Sequence, residues 1–377
     1  MNATHGQYCN ASRGAWACPS RPRTSEQGPR GLQSLMQPNH LSDCFDLTTF
    51  CGRLQYSWAV FSPLNLCWGE SAVAGANAAL ADSSSSYEQR QHALTVRAAC
   101  APNGELLPWP VRACGWALGG TPIIAFMVSN AVHHPDSLLR IFLGQFLNQS
   151  HLAGATYCNR GGSAGGADAA AIAKAYVVSI ATAVPIAFAA AASAKRWEAL
   201  RPLARFAPFP GVASANALAC VTMRQADVAD GIPVRTSATA VAVPAASYAA
   251  SAAASTAASN AAAGCAVEEA AVEVGTSRAA GWAAVRDTAL TRLCMPVGNF
   301  VLVPSILFAL QRQFQRPSGA LGIPAQAAVT AAVFSCWLPL SASLFPPTGS
   351  LPVDELEPEL RNRLDGRVAC VTYSRGV

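Results

Sequence analysis

The sequence predicts an all-α membrane protein with about five transmembrane helices plus one polar re-entrant or interfacial segment. Three observations carry that expectation. Charged residues make up only 12% of the 377, about half the share of an ordinary soluble chain, and mean hydropathy is positive at +0.25. Five stretches long enough to cross a bilayer hold no charged residue at all. Prolines interrupt each of them, which membrane helices tolerate because neighbouring groups re-satisfy the freed backbone.

Residues 1–43 hold Arg13, Arg21, Arg23 and Arg30 against Glu26 and Asp43, with no long apolar run. This composition suits a disordered tail or an organelle transit segment, and lacks the apolar stretch of a secretory signal. Residues 44–110 read as an amphipathic aromatic block followed by a connector. Phe45, Phe50, Tyr56, Trp58, Phe61 and Trp68 recur at helical spacings, as expected of a helix lying on a membrane surface or of one packed on a protein core. The Ala, Ser and Gly-rich residues 70–104 supply the connector.

Residues 111–346 form the expected transmembrane domain. Its uncharged stretches are 113–135, 175–194, 206–223, 293–311 and 317–353, each bounded by Arg, Lys or Asp. Roughly 18–25 residues rising 1.5 Å each cross a hydrocarbon core of about 30 Å. Residues 141–159 are also uncharged, but Gln145, Asn148, Gln149, Ser150 and His151 crowd their centre. Such groups must face protein or water, because each unpaired one costs several kcal/mol in hydrocarbon, hence the re-entrant reading. Residues 236–272 are low-complexity Ala and Ser, expected to be a loop insertion, and 347–377 read as a C-terminal tail.

Several function classes lose support. A net charge of +5 on scattered arginines is not the basic, aromatic-interleaved patch of a nucleic-acid binder. The thirteen cysteines include no CxxC pair and read as packing thiols in a reducing setting. His133, His134 and Asp136 have no further ligand nearby in sequence, so no metal is expected. There is no P-loop, GxSxG or HExxH, and the Gly-rich "RGGSAGGAD" at 160–168 lacks the Lys of a phosphate cradle. The expectation is a non-enzyme without cofactor, whose partners are the lipid bilayer and a small solute.

Four blocks, in order along the chain, carry a resemblance. They are "FDLTTFCGRLQYSWAVFSPLN" at 45–65, "LNQSHLAGATYCNRGG" at 147–162, "RFAPFPGVASANALACVTMRQADVADGIPV" at 205–234 and "LFPPTGSLPVDELEPELRNRL" at 344–364. Together they make the chain resemble the sideroflexins, once called tricarboxylate carriers. In the third block Arg205, Pro208, Phe209, Asn216, Met223, Arg224, Gln225, Gly231, Ile232 and Pro233 match the family's most distinctive stretch. Two departures stand out: "CAPNGE" at 100–105 replaces a family motif of His-Pro-Asp-Thr-Gly-Glu, and the Ala/Ser insertion follows "GIPV". The resemblance implies a multi-pass protein of the mitochondrial inner membrane that transports a small neutral amino acid, most of all serine, feeding one-carbon metabolism. It leaves open a structural or assembly factor with indirect effects on iron, or a citrate carrier. Citrate would want several intramembrane cations, and the uncharged stretches contain none.

A carrier for a small polar solute needs hydrogen-bonding groups near the midplane on helices that can break locally. Asn216, about ten residues into its stretch, meets that need, its partner being either another helix or the solute. Asn148, Gln149 and Ser150 form a second candidate cluster, able to bind substrate or to join helices. Asn159 and Arg160 could complete a carboxylate site, since guanidinium offers a bidentate fork; Arg160 could equally meet lipid phosphate. Arg205, Arg224 and Gln225 bracket the third stretch as interface anchors, with Asp227 and Asp230 close enough to pair with Arg224.

Overall fold

A computed structural model describes residues 38, 40–101, 104–159, 169–237, 271–313, 323–364 and 368–375. The transit-like segment, apart from its last few residues, lies outside these, as do Arg160, the Gly-rich loop and the body of the Ala/Ser insertion. Helix dominates, but the all-α expectation needs correction because a four-stranded sheet is present.

Before the bundle come α1 (Phe50–Phe61), α2 (Glu70–Ala81) and α3 (Tyr87–Arg97). The predicted connector is therefore a helical hairpin: Val73 and Ala76 of α2 close on Ala93 and Val96 of α3. Ser86 caps α3 in a reciprocal box with Gln89, satisfying donors that the first turn leaves open. The aromatic helix α1 packs on the last bundle helix rather than standing alone. Its Arg53 donates to the carbonyl of Ser343 at 2.9 Å.

Six segments then run alternately up and down: α4 (Trp116–His133), α5 (Leu138–Cys158), α6 (Ala169–Arg196), α7 (Pro208–Met223), the continuous helix α9–α10 (Arg278–Val297 and Val303–Gln313) and α11 (Ile323–Ser343). Each packs on the next and α11 returns to α4, so the bundle closes on itself. Among the described residues, three helices are long and apolar enough to cross a membrane: α6, the 36-residue Arg278–Gln313, and α11. A fourth arises if the 3-10 stretch Glu198–Phe206 and α7, bent by 57° where they meet, are one span. The expected count of five is thus not reproduced; the first stretch becomes α4, with 18 residues and an internal Pro122.

The polar segment is one continuous helix, not a re-entrant turn. In α5 the apolar Leu138, Leu139, Phe142, Leu143, Phe146 and Leu147 are exposed, whereas Gln145 and Gln149 are each only 1% exposed. A water-covered helix has the opposite arrangement. The amides face protein, as the cost of burying them in hydrocarbon requires, and the outer face suits lipid.

Small residues set the spacing. A Cβ on Gly211 of α7 would sit 2.7 Å from the carbonyl oxygen of Ala183 in α6, so the two backbones approach as closely as glycine allows.

At one end of the bundle lies the antiparallel sheet β1 (Ile232–Ser237), β2 (Ala271–Ser277), β3 (Thr348–Pro352) and β4 (Cys370–Ser374), in spatial order β2-β1-β4-β3. The short helix α8 (Gln225–Ala229) links α7 to β1. The Ala/Ser insertion joins the β1–β2 pair, and the expected C-terminal tail is half of the sheet. Val234, Val274, Val371 and Tyr373 bury one face against Ala280, Ala283 and Ala284 in the first half of α9. Glu357 caps that helix by accepting from the backbone N–H groups of Arg278 and Ala279. Burial pushes its carboxyl upward, but the donated hydrogen bonds prevail and hold it below the ordinary value.

Gly231 turns the chain from α8 into β1 at φ +82, and a Cβ there would lie 2.7 Å from the carbonyl carbon of Ser277. Replacing it with Ala is expected to cost on the order of 2 kcal/mol, measurable as a lowered unfolding midpoint of the detergent-solubilised protein.

Candidate functional site

The bundle interior holds two adjoining cavities. One, of about 60 Å³, is lined among others by Asn148, His151, Asn216, Arg292, Pro296 and Asn299. The other, of about 40 Å³, is lined among others by Gln149, Tyr176, Asn216, Ala219, Met223 and Arg292. Asn216 and Arg292 border both and stand between them.

Helix periodicity explains the assembly. Arg292, Pro296 and Asn299 are four and three residues apart, so they share one face of the α9 helix. Pro296 has no N–H to give the carbonyl of Arg292 four residues earlier, and the helix widens into a π segment over Gly298–Leu302. Such widening recurs at functional positions in helices. Trp337 of α11 donates its indole N–H to the carbonyls of Cys294 and Met295, at 3.3 and 3.1 Å, covering backbone acceptors at the break. On α5, one turn apart, Gln145 and Gln149 point inward.

The side chains carry unused hydrogen-bonding capacity. Asn216 Oδ1 and Asn299 Oδ1 are buried acceptors, and Gln149 Nε2 a buried donor, without hydrogen-bond partners. Arg292 makes no ion pair or hydrogen bond among the described residues. Cys220 stands close enough to interact with it. The Arg292 guanidinium is half-buried and opens onto both cavities. The cavities thus offer a cation and an amide N–H for a carboxylate, and two amide oxygens for an ammonium group.

The other candidates divide. Asn148, Gln149 and Asn216 meet at the cavities. Ser150 bonds instead to the Tyr176 hydroxyl at 2.8 Å, joining α5 to α6. Asn159 donates to the carbonyls of Val111 and Ala155 at 2.8 and 2.7 Å, and so ends α5 without lining either cavity. Arg160 lies outside the described residues. His151, another of the polar residues at the centre of 141–159, lines the larger cavity while Nε2 donates to the Pro110 carbonyl at 3.2 Å. Asp136 is paired with Lys195 at 3.1 Å.

Around α7, Pro208 occupies its first turn and Phe209 packs into the bundle core. Met223 lines the smaller cavity. Arg224 binds Asp227 at 2.7 Å and Thr288 at 2.9 Å, and Gln225 accepts from Lys174 at 2.8 Å. Arg205 stacks 3.9 Å above the Phe308 ring. Ile232 and Pro233 pair with Ser277 and Thr276 in the sheet.

Asn299 carries the same signal as Asn216, an amide within an uncharged stretch; Arg292 escapes sequence reading for a definite reason. A charge taken as the end of an uncharged stretch is placed outside the membrane by construction. The helix in fact begins at Arg278, fourteen residues earlier, and Arg292 lies well inside it. The inference that no cation stands within the bundle is corrected accordingly.

The match of this chain to the family model of the sideroflexins extends over residues 40–377, which include every element of the bundle and sheet. The chain belongs to the sideroflexin family. It is similar to human sideroflexin-5, 27% identical over 349 residues that cover 88% of this chain and 91% of the relative. Bovine sideroflexin-3 is 29% identical over 238 residues, 62% of this chain and 63% of that one. Mouse sideroflexin-2 is 24% identical over 349 residues, 88% and 96% of the two chains. No solved structure matches. Sideroflexin membership and the apolar helices together support a membrane protein with a carrier-type role.

Proposed function

We propose that this sideroflexin carries a small neutral amino acid, serine foremost, across the mitochondrial inner membrane. The observation that carries the reading is the pairing of unsatisfied groups around Asn216 and Arg292. A zwitterion needs both signs answered at once. Arg292 and Gln149 Nε2 suit its carboxylate; Asn216 Oδ1 and Asn299 Oδ1, both unpartnered, suit its ammonium. The charge-assisted bonds so formed are the strong ones.

Size and charge speak against citrate. A water needs about 10–15 Å³ of such cavity volume, so cavities of about 60 and 40 Å³ hold roughly seven to ten waters between them. Serine has about as many heavy atoms and citrate nearly twice as many. One cation also answers one carboxylate, not three. The break at Pro296 and the bend before Pro208 provide the local flexibility that alternating access uses.

The test is uptake of labelled serine into liposomes holding the purified protein, beside Asn216→Ala matched for thermal stability. Saturable uptake by the parent, and a loss of roughly tenfold or more in the variant, is the expected result. A folded parent that refuses serine, alanine, cysteine and citrate alike would end the carrier reading in favour of an assembly role.

A further inference from the structure

A third cavity lies away from Arg292, at the end of the bundle opposite the sheet. It measures about 210 Å³ and is lined by the last turn of α4, the 3-10 stretch before α7, α10 and the first turns of α11. Arg201, Arg205 and His133 face it together with Ser129, Gln311 and Gln326, and no carboxylate lines it. It shares no residue with the two central cavities.

Neither arginine makes an ion pair among the described residues. Arg205 uses Nε on the Pro202 carbonyl at 3.0 Å and rests its guanidinium on Phe308, so its outer N–H groups stay available in a fixed plane. The same end of the bundle carries Arg140, Lys195, Arg196 and Arg312 against Asp136 and Glu198, and Lys195 already takes Asp136. An excess of positive charge therefore remains there. Trp197, 55% exposed on the adjoining turn, is the kind of side chain that sits at headgroup level.

The rim decides the kind of anion. Val132 and Phe308 border the cavity and are 40% and 48% exposed, an apolar edge a free anion would have no use for. We infer that this cavity binds the phosphate headgroup of an anionic phospholipid, held by Arg201 and Arg205, with the acyl chains running outward past Val132 and Phe308. The inference rests on residence in a membrane and not on the identity of the transported solute.

The experiment measures the unfolding midpoint of the full-length protein in detergent as phosphatidylglycerol, phosphatidylcholine or inorganic phosphate is titrated in, with native mass spectrometry counting bound lipid. Phosphatidylglycerol is expected to raise the midpoint and leave a retained adduct where phosphatidylcholine does neither. Arg201→Gln, an exposed change that leaves the Arg205 stack intact, should weaken the effect roughly five- to tenfold, and Arg201→Gln with Arg205→Gln should remove most of it. Equal effects of the two lipids, or an undiminished response in Arg201→Gln, would overturn the site. Stabilisation by inorganic phosphate matching that by phosphatidylglycerol would overturn the lipid as occupant.

Discussion

Replacing Arg292 with Met is expected to abolish serine uptake while leaving the protein as stable as before, or more so. The Arg292 guanidinium is half-buried, lines both cavities and has gained no carboxylate among the described residues, so its charge adds little to folding. Met fills similar volume without a charge, so folding is expected to lose nothing and to gain at most a modest amount. Transport loses the group that answers the substrate carboxylate. Arg292→Lys keeps the charge but not the planar fork, and should retain partial uptake with a raised KM. The measurements are unfolding midpoints with and without serine, together with liposome uptake. Marked destabilisation by Met, with uptake by the surviving folded fraction intact, would make Arg292 a helix-packing residue and remove the basis for a carboxylate site.

Asp287→Ala is expected to have the opposite character, a loss of about 3–5 kcal/mol in stability. Asp287 on α9 meets Arg375 at 2.8 Å, with the two side chains only 11% and 13% exposed, and meets Arg286 at 3.1 Å. The Arg375 carbonyl in turn accepts from Arg224 and Thr288, and its guanidinium donates to Pro346 at 3.1 Å. One carboxylate therefore ties the end of β4 to α9, beside the end of α7. Removing it leaves two cations without their counter-charge at the sheet and bundle junction. Asp287→Asn, which keeps the shape and one acceptor, should lose less. Chemical unfolding of Asp287→Ala, Arg375→Ala and the double variant completes a cycle; a coupling under about 1 kcal/mol would rank the pair with ordinary surface ion pairs.

These two residues also mark where sequence reading stopped. Uncharged stretches locate helices well, because the penalty for placing charge in hydrocarbon is a local property of each segment. They locate helix ends poorly. Arg292 read as a boundary although its helix runs on toward the sheet for three more turns and more, and Asp287 drew no notice because its partner Arg375 stands 88 positions later in the chain. Asn216, Asn148 and Gln149 were legible as buried amides, since nothing else explains such groups in an apolar run. Ser150 and Asn159, of the same residue types and equally visible, proved to be committed to Tyr176 and to backbone carbonyls.

The sheet shows the same limit. Val234, Val274 and Val371 belong to short alternating runs that look ordinary one at a time, and more than thirty residues, mostly Ala and Ser, separate β1 from β2. Pairing over such distances depends on what each strand meets, here the Ala-rich face of α9, and no local signal reports that.

By itself, then, the sequence determined the family, the helical and apolar character of the bundle, and the presence of amides that must face inward. Each follows from composition and short-range spacing. Tertiary structure alone decided which amides keep a free donor or acceptor, that Arg292 shares cavities with three of them, and that the strands at 348–352 and 370–374 close a sheet over α9. Burial and the satisfaction of hydrogen bonds are properties of neighbours in space, and six helices must close on one another before any side chain has them.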